Sequence, residues 1–142
     1  MEVVEILQAS LVPIVILSAA GLLSLSMQQR YGRVIDRIRT FHEMMVKDVS
    51  WKNLIEKQLD LLIKRGRLLR NSLFFLMLSI LFALLSTFFL SFQFLGGNTG
   101  SMTLVLFYFS LFSLFIAIVF AVMEIFISYQ AVLKEDEQIR KI

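Results

Sequence analysis

The sequence contains no cysteine, one histidine and one proline among its 142 residues. Without cysteine, neither a disulfide nor a thiolate metal site can form. A single histidine also excludes a cluster of imidazole ligands. The chain lacks paired carboxylates, a nucleophile next to a base, and a glycine-rich phosphate loop, which are the usual signatures of catalysis or nucleotide binding. We therefore expect no enzymatic activity, no metal and no cofactor.

Charge is absent from long parts of the chain, of which 58% is hydrophobic, with a mean hydropathy of +0.78. Apolar stretches of about 20 residues are typical of membrane-spanning helices. Three such stretches, which we call spans one, two and three, cover Ile6–Met27, Leu73–Leu95 and Met102–Ser128. They predict an all-α integral membrane protein, because backbone polar groups in lipid must be satisfied within their own helix. Glu2 and Glu5 stand where a cleaved signal would carry basic residues, so we expect span one to be retained.

The basic residues predict the orientation of these spans. Eleven of the 14 Lys and Arg residues lie within residues 29–70, and the other three follow span three. The positive-inside rule therefore predicts an external N-terminus, with residues 29–71 and the C-terminal tail, residues 129–142, in the cytoplasm. In this division residues 1–28 form the first transmembrane helix and residues 72–128 a transmembrane hairpin closed by the short uncharged Gly96–Ser101 link.

The cytoplasmic segment, residues 29–71, has the periodicity of two amphipathic helices. Apolar residues recur at spacings of three and four in both halves: Val34, Ile35, Ile38, Phe41 and Met45, then Leu54, Ile55, Leu59, Leu62 and Leu69. We predict that the two helices pair as an antiparallel hairpin, with Asp48 or Ser50 as N-cap of the second. In the alternative, which we favour less, they lie flat on the inner leaflet and bind anionic lipid.

Span one carries a face of small and polar residues. At 100° per residue the members of this face fall within about 80° of one another around the helix. They are Ser10, Pro13, Leu17, Gly21, Ser24 and Gln28, and Ile14 lies next to them. Such a face allows close helix packing with hydroxyl hydrogen bonds. Alternatively it lines a pore in a homo-oligomer, with Ile14 and Leu17 as a hydrophobic constriction. The packing interpretation is the commoner one for such a pattern.

Glu124 is the only charged residue within span three. A carboxylate inside a membrane span is a functional candidate for which a partner must be named. Because span three is longer than the hydrocarbon core requires, Glu124 is expected at its inner boundary, near Arg30 or Arg70. A structural salt bridge is the favoured interpretation, and a cation site is the alternative.

The remaining candidate residues are basic. They are Arg33, Arg37, Arg39, Lys64, Arg65 and Arg67. We interpret them first as anchors that fix the topology and contact anionic lipid of the inner leaflet. Acidic residues are interspersed among them, which argues against nucleic-acid binding.

Two stretches resemble a known family: QQRYGRVIDRIR, preceded by LVPIVILSAAGLL, and the later KRGRLLRNS. The family comprises small prokaryotic membrane proteins of unknown function with three predicted spans. The resemblance covers most of the chain and is most specific from Pro13 to Arg39. It implies a prokaryotic cytoplasmic-membrane location, and it brings no activity.

Two functions follow as hypotheses from the sequence. The first is a homo-oligomeric channel, with span one as the inner helix, a cytoplasmic vestibule, and ions as its substrate. The second is a non-conducting scaffold or accessory subunit whose cytoplasmic hairpin binds a partner protein or anionic lipid. Oligomeric state and flux through reconstituted membranes discriminate between them.

Overall fold

The computed structural model describes residues 3–47, 52–94 and 96–139 of the chain. They form three α-helices, α1 (Val3–Lys47), α2 (Lys52–Phe94) and α3 (Gly100–Ile139), and these described ranges contain no strand. Each helix has 40 or more residues, which at 1.5 Å per residue corresponds to about 60 Å or more. The prediction of an all-helical chain is confirmed.

Each helix contains a stretch long and apolar enough to cross a bilayer. By length and composition these stretches fall within Leu11–Val46, Ile55–Gln93 and Gly100–Leu133. Large apolar side chains stand exposed along them, including Leu22, Phe88, Phe112 and Phe115. Exposed apolar surface of this extent is unfavourable in water and favourable in lipid, so the three helices identify a multi-pass membrane protein.

The first helix is continuous from Val3 to Lys47 and includes Pro13. Because α1 begins ten residues earlier, Pro13 is interior, and its ring removes the backbone hydrogen bond to the Ala9 carbonyl. The predicted N-cap at Asp48 or Ser50 lies outside the described residues.

The end of α2 is closed by glycines. Gly96 has a φ of 98°, a conformation that glycine adopts without steric cost. Its amide donates to the Gln93 carbonyl at 3.2 Å, and the Gly97 amide donates to the Phe92 carbonyl at 3.4 Å. This pair of hydrogen bonds is a Schellman motif, which ends a helix by satisfying its last carbonyl groups. Four residues, Gly96–Thr99, then lead into α3.

The chain divides into two compact units. The first unit comprises Met1–Ser26 and Leu73–Ala117. Small and hydroxyl-bearing side chains fill much of its interior. Those that are buried on α2 and α3 are Ser79, Ala83, Ser86, Thr103, Ser110, Ser113 and Ala117. Small residues let two helix backbones approach closely in a membrane, where packing and hydrogen bonds replace the hydrophobic effect.

Hydrogen bonds between hydroxyls and backbone carbonyls join α2 to α3 in the first unit. Ser110 donates from Oγ to the Ser79 carbonyl at 2.9 Å, and the two Oγ atoms lie 3.2 Å apart. Ser86 donates to the Thr103 carbonyl at 3.1 Å, and Ser113 donates to the Phe75 carbonyl at 2.8 Å. Every one of these hydroxyls is buried. Each bond therefore satisfies a polar group for which lipid tails offer no hydrogen-bond partner.

The second unit comprises Met27–Ser72 and Ile118–Ile142. Its interior is aliphatic along α1 and α2, with Met27, Val34, Ile55, Leu62 and Leu69 buried. Their seven-residue intervals correspond to 3.5 residues per turn, the period of helices that pack with a left-handed twist. Gly66 is buried in this interface, and a Cβ there would lie 3.5 Å from Val34 Cγ1, which is ordinary contact distance.

Candidate functional site

One ion-pair cluster brings all three helices together within the second unit. It consists of Arg30 on α1, Arg65 on α2 and Glu124 on α3. Arg30 Nη2 lies 2.8 Å from Glu124 Oε2, and Arg65 Nη2 lies 3.1 Å from Oε1. Arg65 also donates from Nε to Oε1 at 3.1 Å. The carboxylate is therefore held between two guanidinium groups.

The burial of the three side chains is unequal. Glu124 is fully buried, whereas the side chains of Arg30 and Arg65 are 28% and 20% exposed. A buried carboxylate is costly unless it is paired, and here each oxygen has a cationic neighbour. Among the described residues Oε2 receives no well-aligned hydrogen bond, so its contact with Arg30 is chiefly electrostatic.

Helical spacing explains why Glu124 points inward. It lies seven residues after Ala117 and fourteen after Ser110, and both of these residues are buried. A residue at the same position of a seven-residue repeat faces the same side of the helix. The side chains of Arg30 and Arg65 are long enough for their guanidinium groups to reach the carboxylate from the other two helices.

Four arginine side chains line one cavity of the second unit, which we call the arginine cavity. Its volume is about 190 Å³, and its lining residues are Arg30, Arg33, Val34, Arg37, Leu62 and Arg65. Val34 and Leu62 are buried and supply an apolar wall, while Arg33 and Arg37 are exposed. No ion pair joins Arg33 or Arg37 to another residue within the described ranges. The cavity therefore carries more positive charge than the neighbouring Glu124 neutralises.

Two further cavities belong to the same unit. One, of about 80 Å³, is lined by Arg37, Phe41, Gln58, Leu61, Leu62, Arg65, Ala131 and Val132. The other, of about 240 Å³, is lined by Tyr31, Ile35, Ile38, Ile63, Gly66, Arg67 and Arg70. Aliphatic residues make up a larger share of the lining in both of these cavities than in the arginine cavity.

The residues of the predicted span-one face differ in how far they are buried in the structure. Pro13 and Ser24 are buried, Leu17 and Gly21 are half-buried, and Ile14 is exposed. Gln28 is exposed as well, and the side chain of Ser10 lies outside the described set. Apart from the two chain neighbours of Gly21 and the nearby backbone of α1, no atom of the described residues comes within 4 Å of a Cβ built on Gly21. The chain itself thus buries this face at Pro13 and Ser24 and leaves open space beside Gly21.

The basic candidate residues fall into two groups, those that contact Glu124 and those that are exposed. Arg30 and Arg65 contact Glu124, whereas Arg70, which the sequence suggested as a partner, is exposed and lines the 240 Å³ cavity. Arg39, Lys64 and Arg67 are exposed. Sequence reasoning named Arg65 only as a basic residue and missed its contact with Glu124. It also missed the serines of α2, although Ser72, Ser79 and Ser86 recur at intervals of seven.

The described residues contain no group of three His, Cys, Asp or Glu side chains placed to hold a metal ion. The charged groups that line the arginine cavity are guanidinium groups, which bind carboxylates and phosphates through paired hydrogen bonds.

Three long apolar helices, two of them joined by buried hydroxyl hydrogen bonds, together with an ion-pair cluster in the second unit, define a polytopic α-helical membrane protein. The sequence profile of one family matches residues 10–133. The chain belongs to this family, which is described as "protein of unknown function (DUF2721)", in agreement with the resemblance seen in the sequence. Neither a curated protein nor a solved structure matches the chain.

Proposed function

We propose that the protein is a non-conducting membrane scaffold whose second unit engages the anionic lipid of the cytoplasmic leaflet. The observation that carries this proposal is the convergence of Arg30, Arg33, Arg37 and Arg65 on a single cavity. Arginines that merely anchored the topology would have no need to gather at one place. In this proposal the N-terminus is external, and residues 29–71 form a cytoplasmic helical hairpin in a prokaryotic cytoplasmic membrane.

The packing of span one supports a scaffold over a channel. A pore lined by the small-polar face of span one needs that face to be free for a water-filled axis. Pro13 and Ser24 are instead buried within the first unit, together with Ala20 between them. A channel would also need a homo-oligomer, since three spans do not enclose a pore. The exposed apolar side chains of the first unit are available to lipid or to another copy of the chain.

Energy transfer between the protein and labelled lipids tests the proposal. A fluorophore is attached to a cysteine introduced at Val46, an exposed position near the end of α1. Because the chain has no cysteine of its own, the label is confined to that site. The protein is reconstituted in phosphatidylcholine vesicles that carry a trace of labelled phosphatidylglycerol or labelled phosphatidylcholine.

The proposal predicts more energy transfer to phosphatidylglycerol than to phosphatidylcholine, with the difference reduced by salt because exposed charges are screened. Equal transfer to the two lipids would contradict the engagement of anionic lipid. In that case a partner protein becomes the occupant to seek for the second unit.

A further inference from the structure

We infer that the arginine cavity is a binding site for one anionic phosphate group. The inference rests on the proposed function and deepens it, because it replaces a general attraction to anionic lipid by a defined site with named residues. The observations that carry it are the charge, the rigidity, the size and the depth of the cavity.

Charge is the first observation. Four guanidinium groups line the cavity, and two of them pair with Glu124, which is the only acidic side chain that forms an ion pair with these arginines among the residues that the structure describes. Arg33 and Arg37 are exposed and have no ionic partner in the same described set. Guanidinium groups bind phosphate oxygens through paired, charge-assisted hydrogen bonds. The unmatched positive charge therefore suits an anion with several oxygens.

Rigidity is the second observation. Arg30 and Arg65 are fixed by the buried carboxylate of Glu124, so their guanidinium groups are oriented before any ligand arrives. Val34 and Leu62 are buried beneath them and exclude water from one side of the cavity. Groups that are held in place lose less conformational entropy on binding. Arg30 and Arg65 therefore form the preoriented part of the site, and the exposed side chains of Arg33 and Arg37 move to contact the ligand.

Size is the third observation. The cavity holds about 190 Å³, which is roughly six times the volume of one water molecule in the liquid. That space accommodates a phosphate group with part of its hydration shell. It is smaller than the cavities of about 300–1,000 Å³ that enclose whole organic ligands, so only a headgroup-sized portion of a larger molecule would enter.

Depth is the fourth observation. Arg30 and Arg37 follow Met27, the end of predicted span one, by three and ten residues, or about 5 and 15 Å along a helix. Arg65 precedes Leu73, the start of predicted span two, by eight residues, or about 12 Å. The polar headgroup region extends about 5–8 Å beyond the hydrocarbon core on each side, so Arg30 lies at headgroup depth and Arg65 and Arg37 lie a few ångströms beyond it. A phospholipid headgroup is thus the nearest source of phosphate, and a soluble phosphate ester is the other source.

Native mass spectrometry of the full-length protein in neutral detergent tests the inference. Three probes are titrated separately: phosphatidylglycerol, phosphatidylcholine and glycerol 1-phosphate. The double variant Arg33→Gln/Arg37→Gln removes the two cavity arginines that form no ion pair among the described residues, and it leaves the Glu124 cluster intact. Arg39→Gln/Lys64→Gln is the matched control, because it removes the same charge from exposed positions outside the cavity. Size-exclusion chromatography establishes that both variants keep the folded state of the parent protein.

We expect one tightly bound phosphatidylglycerol per chain, weakened by about tenfold or more in Arg33→Gln/Arg37→Gln and little changed in the control, since hydrogen bonds between charged groups are among the strongest in proteins. Binding of phosphatidylglycerol alone identifies the lipid headgroup as the source of phosphate. Specific binding of glycerol 1-phosphate alone keeps the phosphate site and assigns it to a soluble ester.

Equal weakening by the two variants would overturn the inference. It would mean that the basic surface attracts anionic lipid without a defined site, which leaves the proposed function standing. Absence of preferential binding to any of the three probes would overturn the inference as well. The proposed function fails separately, when the Val46 label shows equal energy transfer to the two lipids.

Discussion

Arg65 on α2 contacts Glu124 on α3 across 59 positions of sequence, with Nε and Nη2 both 3.1 Å from the same oxygen, Oε1. Arg30 on α1 takes the other oxygen at 2.8 Å. One buried carboxylate thus links all three helices of the second unit. Removal of this carboxylate should therefore lower the stability of the whole second unit, whereas removal of an exposed carboxylate should not.

Glu124→Gln should lower the thermal stability of the protein. Breaking a buried ion pair costs about 3–5 kcal/mol, and the low end applies here because both arginines retain some contact with water. For a chain of this length the corresponding fall in melting temperature is roughly 6–12 °C. Loss of soluble, monodisperse protein on heating in detergent measures it. Exposed Glu56→Gln is the control, and a Glu124→Gln variant as stable as that control would contradict the clamp.

Arg65→Gln should destabilise the protein more than Arg70→Gln. Arg65 pairs with Glu124, while Arg70 is exposed, and substitutions at exposed positions usually change the unfolding free energy by less than about 0.5 kcal/mol. The loss caused by Arg65→Gln should also shrink in a Glu124→Gln background, because the two residues form one interaction. Equal melting temperatures for Arg65→Gln and Arg70→Gln would show that Glu124 relies on another partner.

The sequence predicts the helices well because their signals are local. Hydropathy indicates the three apolar stretches, and the structure has three helices that are long and apolar enough to cross a membrane. Glu124 stands out because it is a lone charge in an apolar run. These features can be recognised without knowing which helix faces which.

The contacts between helices are harder to predict. Three arginines, Arg65, Arg67 and Arg70, lie within six residues of α2, and the choice of Arg65 as partner depends on the rotation of α2 relative to α3. The serines of α2 and α3 are hard to recognise as contact residues in the sequence, because the many phenylalanines and leucines around them suggest that every side of these helices contacts lipid. Their seven-residue spacing is the sequence signal for a helix contact. It identifies the contact between α2 and α3 only when the same spacing is noticed in both helices.

Ser110 should tolerate alanine and reject leucine. Its hydroxyl bonds with Ser79 in the buried contact of α2 and α3, and hydrogen bonds of this kind contribute about 0.6 kcal/mol in membrane proteins. Leucine would instead overfill a close helix contact, at a cost of about 1–3 kcal/mol. Melting in detergent distinguishes the two variants. Ser91→Leu, at an exposed position, is the control for added hydrophobic volume, and a Ser110→Leu variant as stable as Ser91→Leu would contradict the close packing.

Cysteine accessibility should establish the proposed orientation. Single cysteines are introduced at Asn98, exposed in the link between α2 and α3, and at Val46, exposed near the end of α1. Because no native cysteine competes, a membrane-impermeant maleimide added to spheroplasts should modify Asn98→Cys, and should modify Val46→Cys only after permeabilisation. The reverse pattern would place the basic segment outside and contradict the positive-inside prediction.

Ion flux through reconstituted liposomes tests the central claim, that span one packs within its own chain and that the protein does not conduct. Wild-type protein, Ile14→Ser and Leu17→Ser are compared in vesicles loaded with an ion-sensitive dye, and empty vesicles set the background. Serine at either position would wet a hydrophobic constriction if one existed. The scaffold proposal predicts background flux from all three proteins. Flux from the wild type that rises in Leu17→Ser or Ile14→Ser would contradict it and establish a channel lined by span one.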